Sequence, residues 1–162
     1  MSQLTQTNPV AEIFVAMVQE TAHLFTKDLD ATSEELLASS QDGKARSILA
    51  FTAEIVGFNH MVASVLKGEA AAMPSDEERA AFTASISNRE AAKAAFEGSI
   101  GALTSAIRGV AEDDWMTTIM APWGMEATKA NLAGWGAIHT AYHDGQMNLI
   151  QLLNGDNAVH WM

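Results

Sequence analysis

Apolar residues recur at helical spacing along four long stretches of the chain. The first opens at Asn8-Pro9, a good cap followed by a proline suited to the first helical position. It carries Ile13, Phe14, Met17, Leu24 and Phe25 and is expected to end near Leu29–Ala31. Residues 32–39 (TSEELLAS) read as a capped turn or short helix, and 40–45 as a loop. A second helix is expected from about Ala45 to Lys67, apolar on nearly every side, with Gly68 just beyond its end. Residues 69–76 lead to a third helix, capped by Ser75 or Asp76 and expected to continue to about Val110. Its stripe of Phe82, Ile86, Arg89, Lys93, Phe96, Ile100, Leu103, Ile107 and Val110 alternates steps of four and three, a heptad-like seam holding two basic residues. Residues 111–128 form the longest irregular piece. Thr128 then caps a fourth helix, which Asn154-Gly155 stops, and the tail that follows is expected at the surface or in an interface. Four long helices in 162 residues imply an all-α four-helix bundle, one domain spanning 1–162.

Composition narrows the function. Nine basic residues stand against twenty acidic ones, a net charge of −11, which argues against a surface for nucleic acid or for an anionic membrane. The chain has no cysteine, so disulfides, zinc–thiolate sites and catalytic thiols are excluded. The first residues show neither a basic segment nor an apolar run, so no leader is expected and the cytoplasm is the default location. Residues 47–66 have about the length of a membrane span. Glu54, Asn59 and His60 interrupt them, however, and no basic flanks frame them, so they read as a helix buried within a bundle.

The candidate chemistry lies on the fourth helix. His139 and His143 are about 40° apart around the helix and about 6 Å apart along it, so both rings can reach one ion. They share an inward stripe with Leu132, Gly136, Gln146, Ile150 and Leu153. Buried imidazoles require hydrogen-bond partners or a metal. A third ligand must come from another helix, and the second offers Glu54 and His60. Six residues apart, these point about 120° away from each other. Periodicity does not choose between them, because that helix is apolar nearly all round. A carboxylate at Glu54 could equally pair with Arg89 or Lys93. Glu20 and His23 form the one E-x-x-H pattern, but a di-iron bundle needs two, so that class is set aside.

The segment HTAYHDGQMNLIQLL, residues 139–153, resembles the last helix of the DinB/YfiT-like superfamily, whose members show H-x-x-x-H followed by Arg-Gly-Gln and an apolar run. His139, His143, Gly145 and Gln146 match, and Asp144 stands where the family has Arg. Residues 29–69 and 103–135 are similar to the preceding parts of the family pattern. The resemblance implies an up-down-down-up bundle, often a homodimer, holding a divalent metal, commonly zinc or nickel. Its ligands would be one residue of the second helix and the H-x-x-x-H pair. The family's helix-two histidine register falls on Glu54, whereas ligand type favours His60. The resemblance also implies a small-molecule substrate and an enzyme such as a transferase or isomerase using a low-molecular-weight thiol, or a hydrolase. Arg89 and Lys93 are then candidates for binding an anionic substrate. The competing expectation is a non-catalytic bundle with a degenerate, metal-free site.

Overall fold

Helix starts are set by short polar side chains that satisfy the first free amides. In the computed structural model, which describes residues 8–40 and 43–162, the Asn8 carbonyl side chain accepts from the amides of Val10 and Ala11 and opens helix α1, Pro9–Ala31. Ser33 opens the short α2, Glu34–Ala38, and Ser47 opens α3, Ile48–Leu66, which stops at Gly68 with φ +75°. The N-terminal residues read for a leader, and part of the loop expected over 40–45, lie outside the described residues.

The helix expected to run unbroken from Asp76 to Val110 is two helices, α4 (Asp76–Ser85) and α5 (Arg89–Arg108). Between them Ile86 leaves helical geometry at φ −91°, ψ 79°, and the Asn88 side chain accepts from the amide of Ala91 to begin α5. Ser85, Ser87 and Asn88 all bond readily to nearby backbone, which competes with helix continuation. The heptad-like stripe concealed this break, because Phe82 keeps the spacing while belonging to a helix with no buried residue. The irregular stretch also contains order. Strands β1 (Thr118–Met120) and β2 (Glu126–Thr128) pair antiparallel around a turn at Gly124, φ +83°. The hairpin feeds α6, Lys129–Leu153, through a capping box of Thr128 and Asn131. The described residues therefore form six helices and one hairpin, and a plain four-helix bundle is too simple a description.

Contacts fix the directions of the four long helices. Phe14 borders Gly134, while Asp28 meets Asn148 and Gln151, so α1 and α6 run parallel. Arg108 pairs with Glu12 and Arg89 with the Leu29 carbonyl, so α5 is antiparallel to α1. Phe51 packs on His143 and Phe58 on His139, so α3 is antiparallel to α6. In chain order the long helices run up, down, down, up. One end of the core gathers Val15, Leu103, Ile107 and Leu132, and the other Phe25, Phe51, Phe96 and Met147. Fully burying each aromatic ring contributes about 2–3 kcal/mol. The long helix α3 is apolar enough to cross a membrane by length and composition, yet more than half of it is buried, as in a core helix.

Candidate metal centre

Gly136 lets α6 approach α5 closely: a Cβ there would stand 2.4 Å from Leu103 Cδ2. The next two turns of α6 face α3. His143 is fully buried and its ring stacks on Phe51 at 5.2 Å with planes 12° apart, while the His139 ring rests 4.4 Å from Phe58. Their Nε2 atoms lie 3.2 Å apart. From α3, Glu54 Oε1 stands 3.5 Å from His139 Nε2 and 3.6 Å from His143 Nε2.

These three atoms form a small triangle of two imidazole nitrogens and one carboxylate oxygen, the one such group of potential metal ligands among the described residues. A tetrahedral ion with ligands at about 2.0–2.2 Å sets its donor atoms about 3.3–3.6 Å apart. The spacing and the donor chemistry fit a divalent transition metal. Electrostatics agree. Burial pushes His139 down to about 4, helped by the neighbouring His143 and Arg46. Burial also lowers His143, against the opposing pull of its hydrogen bond to Gln146. Both imidazoles are therefore neutral near pH 7, the form that binds metal. With His143 Nδ1–H donating to Gln146 Oε1 at 2.8 Å, Nε2 is left unprotonated and faces His139 Nε2 and Glu54 in the triangle.

The other residues singled out from sequence lie elsewhere. His60 is exposed on α3 and outside the triangle, although it lines the same cavity. Glu54 pairs with neither Arg89 nor Lys93 but with Arg46. Arg89 donates to the carbonyls of Leu29 and Thr32 at the end of α1, and Lys93 bonds Asp30 at 2.6 Å. Neither lines the cavity. Glu20 and His23 are exposed on α1. Arg46 and Phe51 escaped the sequence reading. Arg46 lies one residue before the α3 cap, where only the fold brings it back to Glu54.

Asp144, the departure from the family pattern, turns away from the triangle toward α1. It is buried against Asp28, whose Oδ2 accepts from Asn148 and from the Trp161 indole. On the opposite side, Glu54 and His139 open onto a cavity of about 860 Å³ between α3 and the α4 segment.

The family model of the DinB superfamily matches residues 14–147. The chain belongs to the DinB superfamily. Its fold is also similar to that in a crystal structure of a mutant of the mycothiol-dependent maleylpyruvate isomerase, with a TM-score of 0.68 at 16% identity. That likeness covers 85% of this chain and 60% of the isomerase chain, so this DinB chain spans less than two thirds of it. At this identity the likeness concerns fold alone. No curated protein sequence matches the chain.

Proposed function

We propose that this chain is a divalent-metal-dependent enzyme acting on a small molecule, with Glu54, His139 and His143 as the ligands. The observation that carries the reading is the triangle of donor atoms, no edge longer than 3.6 Å, opening onto a cavity large enough for a substrate. Glu54, His139 and His143 would hold a zinc or nickel ion, which would supply Lewis-acid chemistry able to activate a water or a thiol near neutral pH. The chain's own residues do the rest. Gln146 fixes the tautomer of His143, Phe51 and Phe58 exclude water from behind the rings, and Glu54 balances positive charge. Glu54, not His60, takes the third position in this reading, and Arg89 and Lys93 hold the end of α1 instead of binding substrate. Thiol-dependent transfer or isomerisation is the first chemistry to assay, because the similar fold belongs to a mycothiol-dependent isomerase.

The test is metal analysis of untagged protein, followed by thermal melts with Zn²⁺ and Ni²⁺. A ligand at a hundredfold excess over its dissociation constant stabilises a fold by about 2.7 kcal/mol. Uptake of about one ion per chain with a raised melting temperature is expected. Absence of both supports the metal-free alternative, in which Arg46 simply satisfies Glu54.

We also propose that two copies pair through α6. Ile138, Tyr142, Leu149 and Leu152 are exposed, and with Gly145 they step 4-3-4-3 along the outer face of the helix. Between Lys129 and the end of α6 the one Asp, Glu, Lys or Arg is Asp144, and it is buried. In a chain of net charge −11, an exposed apolar face that carries no charge is the one that can meet its own copy across a twofold axis without repulsion.

A further inference from the structure

The cavity beside the triangle has a directional lining. Along α3, Ala50, Ala53 and Gly57 make a shallow trough that begins at Arg46 and Glu54 and leads toward Met61. From Glu54 to Met61 is about 10 Å of helix. The opposite wall is Met73 and Phe82, 46% and 38% exposed, from the segment around α4. This helix has no buried residue of its own and packs chiefly on α3, so nothing in the fold uses the apolar side chains it holds over the trough. At 860 Å³ the space lies within the range of small-molecule pockets.

The charges around it are mostly committed. Glu78 accepts from the Ser75 amide in a capping box, and Arg79 pairs with Asp76 within α4. Arg46 has Glu54 as its ion-pair partner. When the Glu54 carboxylate shares its charge with a divalent ion, Arg46 becomes a cation facing the end of the trough beside the triangle, while the cavity lining also holds the polar side chains of His60, Glu78 and Arg79. A carboxylate matches the guanidinium fork there, whereas an ammonium would be repelled by both Arg46 and the metal.

We infer that the cavity binds a small molecule with an apolar body and a terminal carboxylate. The carboxylate lies at Arg46 beside Glu54 and His139, and the body lies along Ala50, Ala53 and Gly57 under Phe82 and Met73. The position of the carboxylate rests on the metal reading, while the apolar trough does not. Gly57 supplies the decisive variant. A Cβ there meets nothing within 4 Å, so the side chain of Gly57→Leu starts in open space at the trough, and the change removes a glycine from a helix interior, which favours folding.

The experiment is calorimetric titration of Zn²⁺-loaded protein with octanoate, and with acetate and octylammonium as controls. Octanoate is expected to bind at least tenfold tighter than either control. Gly57→Leu should weaken octanoate at least tenfold, and Phe82→Ala several-fold, with zinc content unchanged and a melting temperature equal or higher for Gly57→Leu. Octanoate binding no tighter than acetate or octylammonium, or binding untouched by Gly57→Leu, overturns the inference while zinc uptake leaves the metal reading standing. Octanoate binding that Gly57→Leu abolishes in a protein that takes up no zinc overturns the metal reading and keeps the apolar trough.

Discussion

Gln146 holds His143 from behind, its Oε1 2.8 Å from the ring Nδ1, so the imidazole presents an unprotonated Nε2 to Glu54 and His139. Second-layer partners of this kind typically carry ten- to hundredfold in metal affinity. Gln146→Leu removes the acceptor while keeping the bulk. Chelator competition should then show zinc bound about ten- to hundredfold more weakly. Affinity equal to that of the parent protein would mean that Phe51 and the helix alone orient the ring.

Glu54 and His60 are separated by a simple contrast. Glu54→Ala should abolish stoichiometric metal uptake, Glu54→His should keep it with a three-histidine donor set, and His60→Ala should leave it unchanged. The Glu54–Arg46 pair is exposed, so its loss should change the stability of the metal-free protein by no more than about 1 kcal/mol, and a folding defect will not imitate a binding defect. Metal uptake lost in His60→Ala and kept in Glu54→Ala would reverse the assignment.

Much of this site was legible from residue types and spacing. His139, His143 and Gln146 fall on one stripe because a helix brings positions three and four apart together, and the structure keeps them so. The choice between Glu54 and His60 was not legible, because α3 is apolar on nearly every side and its rotation is set by packing against α5 and α6. The break at Ile86 was hidden for a related reason. A 4-3 stripe reports which residues would face a core and says nothing of whether one continuous helix carries them. The same stripe suggested Arg89 and Lys93 for a site, whereas their long side chains reach the end of α1. The hairpin strands are three residues each, too short for a period to show.

The buried carboxyl pair gives a pH signature. Burial first, then the charge and hydrogen bond of Asp28, push the Asp144 carboxyl up to about 7. Asp28 Oδ1 and Asp144 Oδ1 are buried without a hydrogen-bond partner among the described residues, a setting that disfavours the charged form of Asp144. Between about pH 4 and 7 the folded chain therefore holds a proton that the unfolded chain releases, and this group's contribution to stability falls as pH rises. His139, lowered to about 4, acts with the opposite sign over about pH 4 to 6.5, which blurs the profile of the parent protein. Asp144→Asn keeps His139 and removes the carboxyl. Its melting temperature relative to the parent should rise from pH 5 to pH 8, and a difference independent of pH would contradict the raised Asp144 carboxyl.

Gly145 sits at the centre of the uncharged outer face of α6, with Ile138 seven residues before it and Leu152 seven after. Two copies crossing antiparallel at Gly145 would set Ile138 of one against Leu152 of the other and bring the two glycines together at the axis. A Cβ added at Gly145 meets nothing within 4 Å inside one chain. Gly145→Glu should therefore leave the single chain folded, and the loss of a helical glycine works in its favour. In a pair it would place two carboxylates opposite each other in a desolvated seam, a strongly unfavourable arrangement. Sedimentation velocity should show the parent protein as a dimer and Gly145→Glu as a monomer with an undiminished helical circular dichroism signal. A monomeric parent, or a variant that still dimerises, would remove α6 as the interface.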